Sequence, residues 1–125
     1  MSQLPHSIEL HDSRLSAIRA SGQRLTLELR PSYVHRDGKG WRQDADIEIT
    51  GVQSQVQPEL APSRIADGEL KTPRGPYHNL LMLPLSEHGP VRLRLELEGG
   101  ETLEITGAAI SVHMLGEPTF VEQYE

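Results

Sequence analysis

Alternation with a period of two dominates the chain. In Val91-Arg92-Leu93-Arg94-Leu95-Glu96-Leu97-Glu98, apolar and charged residues exchange places at every step. Arg24–Arg30, Asp44–Thr50, Thr102–Thr106 and Ile110–Met114 repeat the pattern. A helix built from any of these would scatter its apolar groups around the cylinder, whereas an extended strand collects them on one face. Weaker strand candidates are Leu15–Ala20, Val52–Gln57, Arg64–Leu70 and Tyr77–Leu83. The nearest approach to helical spacing is Leu4, Ile8, Leu10, Leu15 and Ile18, confined by Pro5 and the Ser21-Gly22 pair. With 11 Gly and 9 Pro distributed between short alternating segments, the pattern predicts an antiparallel all-β domain over residues 1–125. A β-sandwich or flattened β-barrel of about seven to nine strands would give each strand one dry face.

Charge pairing selects the register of one hairpin. A two-residue Gly99-Gly100 turn would set Glu96 against Leu103 and split the dry face. A three-residue Glu98-Gly99-Gly100 loop instead pairs Leu95 with Leu103 and Leu93 with Ile105 on the dry side. On the wet side it pairs Arg94 with Glu104, Glu96 with Thr102 and Arg92 with Thr106. Opposite charges across a sheet contribute roughly 0.2–1 kcal/mol, and Gly100 falls where a left-handed conformation is needed, so the longer loop is expected. In the first hairpin a Gly22-Gln23 turn pairs Ile18 with Leu27 and Arg19 with Thr26. That avoids the Arg19–Arg24 opposition of a Ser21-Gly22 turn.

A length of 125 residues suits one domain. Lys and Arg number 12 against 18 Asp and Glu, a formal net charge of −6. Such a balance argues against nucleic-acid binding, which needs a basic face to displace phosphate counterions. It favours a partner protein with a basic surface. With no cysteine, disulfides, thiolate nucleophiles and Cys-ligated metals are excluded. Met1-Ser2-Gln3-Leu4-Pro5-His6 lacks the basic and apolar regions of a secretory signal, and Leu80–Leu83 is far short of a membrane span of about 20 residues. The expectation is a cytoplasmic protein that does not enter membranes.

Candidate chemistry is sparse. His11-Asp12-Ser13 holds the residue types of a hydrolytic triad, but neighbours in an extended chain point apart, so a turn closed by side chain to backbone hydrogen bonds is the plainer reading. None of the six histidines forms a His-x-His or His-x-x-x-His pair, so no metal and no cofactor is expected; a site joining His11 and His35 with Asp12 or Asp37 is the exception the fold could create. Asp44, Asp46 and Glu48 line one strand face, where paired carboxylates could serve glycoside chemistry or bind a hard cation; the plainer reading is a solvated charged surface guarding an edge strand. Arg36–Gly40 lacks the Gly-Lys-Ser/Thr ending of a phosphate loop and is expected to be a hairpin tip. Tyr33 and Trp41 flank it, and Tyr77 precedes His78 after a Pro-rich turn. Aromatics rimmed by polar groups are common on binding surfaces. Trp41 also shares the parity of Ala45, Ile47 and Ile49, which would make it core. The candidate ligand- or partner-binding set is therefore His11, Asp12, Tyr33, His35, Trp41, Tyr77 and His78, expected as one partly exposed patch.

The early His11-Asp12-Ser13 before a hairpin, Gly107, and the closing Gly116-Glu117-Pro118-Thr119-Phe120-Val121-Glu122 resemble small bacterial all-β proteins of unknown function. The His-Asp-Ser before a β-meander is similar to some immunity proteins of bacterial toxin systems. The resemblance implies an all-β fold without enzymatic activity and assigns no site residue. Together these readings point to a non-catalytic protein-binding module, with an immunity-type inhibitor as one concrete form. The alternative is a small hydrolase, isomerase or ligand-binding protein using a pocket near His11, Asp12, Tyr33 and His35.

Overall fold

A computed structural model of the chain describes residues 5–53 and 55–123. The reading of Met1-Ser2-Gln3-Leu4 as lacking a signal lies outside the described residues. Among the described residues nine strands form one antiparallel sheet, as the alternation predicts. They are β1 (Ser7–Glu9), β2 (Arg14–Ser21), β3 (Arg24–Arg36), β4 (Lys39–Thr50), β5 (Ser63–Thr72), β6 (Gly75–His78), β7 (Leu80–Met82), β8 (Ser86–Leu97) and β9 (Thr102–Gln123). The only helical element among the described residues is a 3-10 turn at Pro58–Leu60. No helix among them is long and apolar enough to cross a membrane.

The pairings run in the order β2-β5-β8-β9-β4-β3, and β2 also pairs with β3, so six strands close into a flattened ring. β2 joins β3 through Leu15 and Ala17–Ser21, and β5 through only Arg14 and Leu15. β1 and β7 continue the sheet beyond the distal half of β3, and β6 flanks β5.

Both hairpin expectations are met. Leu95 faces Leu103, Arg94 faces Glu104, and Gly100 closes the loop at φ 97°. Ile18 faces Leu27 and Arg19 faces Thr26 across Gly22-Gln23. Leu25, Leu27, Leu29, Ile47, Ile49, Leu93, Leu95, Leu103 and Ile105 are all buried in one continuous apolar cluster.

Three local expectations change. Val52–Gln57 is not a strand: among its described residues Val52 and Val56 pack half-buried against the core from an irregular segment, four apart rather than two. Tyr77–Leu83 breaks into β6 and β7 because Asn79 turns the chain at φ 64°. Thr102–Thr106 and Ile110–Met114 are one strand, paired with β8 through Thr102–Ser111 and with β4 from Ala109 on. A Cβ at Gly107 would lie 2.6 Å from Ile49 Cγ2 and 2.7 Å from Thr50 O, so only glycine lets β9 approach β4 there. β4 is also central, between β9 and β3, so Asp44, Asp46 and Glu48 guard no edge. Asp46 and Glu48 are countered by arginine instead: Arg30 reaches Asp46 at 3.0 Å and Glu28 at 3.7 Å, and Arg24 lies 4.0 Å from Glu48.

Leu95 is fully buried opposite Leu103. Leu95→Ala is expected to lower unfolding free energy by about 2–5 kcal/mol in a denaturant titration, from lost transfer energy plus the cavity. A loss below about 1 kcal/mol would remove Leu95 from the core.

Candidate functional site

Leu10 anchors the short loop between β1 and β2. Its side chain is fully buried over Gly68, where a Cβ would come within 2.5 Å of Leu10 Cδ1. The Leu10 and His11 amides donate to the carbonyl and to Oδ1 of Asn79, each at 2.7 Å. Ser13, also fully buried, donates from Oγ to the Glu9 carbonyl at 2.6 Å and accepts the Tyr33 amide at 3.0 Å. The serine is thus a backbone clamp and not a nucleophile facing an imidazole, which is the plainer reading of His11-Asp12-Ser13. Between these fixed points Asp12 takes φ 78°, and its carboxylate turns back to 3.4 Å from His11 Nδ1.

The third member of this cluster is Glu9, which the sequence reading passed over. Its Oε2 lies 3.8 Å from His11 Nδ1, and its Oε1 lies 3.2 Å from His35 Nε2. One ligand atom each from Glu9, His11 and Asp12 falls within 4.8 Å of the others. His35 is further held edge-on to Tyr33, with ring centroids 5.5 Å apart. The Tyr33 hydroxyl donates to Glu122 on β9.

The seven candidate residues do not share one surface. Cross-strand partners share a face and successive residues alternate. Tyr33 and His35 lie with Glu9 and Ser7 on one face of the β1–β3–β4 sheet. Trp41 pairs with Val34, which pairs with Ile8, and so takes the opposite face. There Trp41 is half-buried against the core, as its parity with Ala45 suggests. Its indole N–H donates to the Arg36 carbonyl at 3.3 Å, the Arg36 guanidinium lies 4.6 Å over the ring, and Phe120 meets it edge-on at 5.4 Å. Tyr77 turns toward β8, where its hydroxyl donates to Glu87 Oε2 at 2.9 Å. His78 stands between Asp67 and Glu69, with Nε2 3.9 Å from one carboxylate and Nδ1 3.7 Å from the other.

Glu87 is buried, and its Oε1 has no hydrogen-bond partner among the described residues. Its odd-numbered parity with Leu85, Val91 and Leu93 was a legible sign that this carboxylate faces inward. The hydrogen bond to Glu87, and secondarily burial, holds the Tyr77 phenol above its ordinary pKa of 10.0. Phe120 gave less warning, because Gly116 and Pro118 make its neighbourhood read as a turn.

The His11 cluster is open to solvent. A hollow of about 520 Å³ beside Leu25, Val52 and Val56, and one of about 610 Å³ beside Pro73, Pro90 and Val91, both lie on other parts of the surface. No family model matches the chain, and no curated protein or solved structure matches it.

Tyr77→Phe leaves the buried Glu87 carboxylate with no partner among the described residues. It is expected to cost about 1–3 kcal/mol at neutral pH. A phenol pKa raised by folding contributes stability below the unfolded value, and that contribution fades as pH rises through the folded one. The gap between wild type and Tyr77→Phe in urea midpoints should therefore narrow in alkaline solution. Equal midpoints at pH 7 would show that the bond contributes nothing.

Proposed function

We propose that this chain is a non-catalytic, cytoplasmic protein-binding module. It takes an extended basic segment of a partner protein along the distal half of β9, beside Trp41 and Phe120. The observation that carries the reading is Phe120, 52% exposed and stacked edge-on to Trp41. It sits on a stretch of β9 that, beyond the Val112 amide bonded to the Leu85 carbonyl, pairs among the described residues with β4 alone.

A strand with one open side can accept another strand through its backbone, while neighbouring pockets select side chains. Trp, Phe and Arg are the groups that dominate binding energy at interface centres, and Trp41, Phe120 and Arg36 stand together here. Two extra residues of β9 opposite Arg42–Asp44 divide the open side, leaving Thr119–Gln123, itself bulged at Val121, as the segment a partner strand would extend. No Lys or Arg follows Arg94 in the chain, while Glu117 and Glu122 lie on this stretch. That bias favours a basic partner and discourages pairing with a second copy.

The test uses the single tryptophan as reporter. Peptides selected from a random library against the wild-type chain should alternate apolar and basic residues and shift Trp41 emission. Phe120→Ser should bind them about tenfold or more weakly, since truncating a central anchor costs 2 kcal/mol or more. Peptides that bind Phe120→Ser equally well would overturn the reading.

A further inference from the structure

The loop cluster supports a second, separate site. We infer that Glu9, His11 and Asp12 bind one exchangeable divalent transition ion of the zinc type, with His35 as a positioning residue. The expectation of no metal came from the spacing of the histidines, which does not register the carboxylates of Glu9-Leu10-His11-Asp12; strand pairing then adds His35 beside Glu9.

The geometry is close to that of an open zinc site. Zinc bonds of about 2.0–2.2 Å in a tetrahedron set ligand atoms roughly 3.3–3.6 Å apart. His11 Nδ1 lies 3.4 Å from Asp12 Oδ2 and 3.8 Å from Glu9 Oε2, and all three ligand atoms fall within 4.8 Å. Side-chain adjustments of a few tenths of an ångström to about one ångström would complete three corners. The fourth would be left to water, since the His11 and Asp12 side chains are 54% and 44% exposed. Two carboxylates balance the charge of a divalent cation. The imidazole nitrogen selects against Mg2+ and Ca2+, which favour all-oxygen shells.

The surroundings restrain this arrangement. Asn79 fixes the Leu10 and His11 backbone, and buried Leu10 and Ser13 tie the loop to the core on both sides. His35 Nε2 engages Glu9 Oε1 and leaves Oε2 turned to His11, as an outer hydrogen bond orients a ligating carboxylate. His78 offers the contrast: its two carboxylates face different ring nitrogens, so they do not converge on one lone pair.

Calorimetric titration of the untagged chain with ZnCl2 should show one equivalent bound, unaffected by excess Mg2+. His11→Ala and Glu9→Gln should each weaken it about tenfold or more. His35→Phe keeps a ring against Tyr33 but removes Nε2, and should weaken it roughly 10–100-fold without changing the stoichiometry. His78→Ala should leave it intact. In the wild-type chain Co2+ should broaden the NMR signals of His11 and Asp12 before those of His78 and His113, a readout independent of any variant's folding. Absence of zinc binding, competition by Mg2+, or equal losses in His78→Ala and His11→Ala would each overturn the site.

Discussion

The closed ring depends on one strand serving two partners. β9 pairs with β8 through Thr102–Ser111 and with β4 from Ala109 to Gln123, crossing from one partner to the other through an overlap at Ala109–Ser111. Just before that overlap, Gly107 is pressed against Ile49 and the Thr50 carbonyl at distances no side chain would tolerate. Ile105 and Ile110, on either side of it, are both buried. Replacing the glycine would force β9 away from β4 at the point where the two apolar faces meet, so the cost would spread beyond one residue. The same crossing sends β9 on past the ring, where Phe120 meets Trp41 and Glu122 meets Tyr33.

The wet face is organised as closely as the dry one. Asp46 and Glu28 face each other across β4 and β3, a like-charge opposition that would be unfavourable alone. Arg30 lies near both, and Arg19, one strand further, contacts both as well. Surface ion pairs contribute little individually. Here the arginines remove a repulsion that the alternating pattern itself creates, by placing Glu28 of β3 opposite Asp46 on the acidic face of β4.

Where burial is regular, the chain was legible. Leu93, Leu95, Leu103 and Ile105 specify both their strands and their register, because a one-residue slip would expose every one of them. The legibility fails where a single residue decides the path. Asn79 splits one expected strand into two, and Gly107 with two alanines after it hides the continuity of β9. The candidate site was half visible. His11, Asp12 and His35 were recognisable by type, but Glu9 is one acidic residue in a three-residue strand, and only its pairing with Tyr33 brings it beside His35. Alternation also separates Trp41 from Tyr33 and His35, because residues next to one another across a hairpin tip can still face opposite ways.

The ring is not equally strong around its circumference. β4 and β9 share a long ladder, whereas β2 meets β5 at just two positions, and one of these sets Arg14 against Arg64. Local opening follows the path of least resistance. This junction has the shortest ladder and a like-charge pair, so it is the natural place for the cylinder to unzip while the rest stays folded. Ser13, whose carbonyl accepts the Ile65 amide at 3.0 Å, belongs to the same junction and also clamps the loop carrying His11 and Asp12. Ser13 therefore ties the weakest joint to the loop carrying those two side chains, so a ligand that holds the loop would also hold that joint of the ring closed.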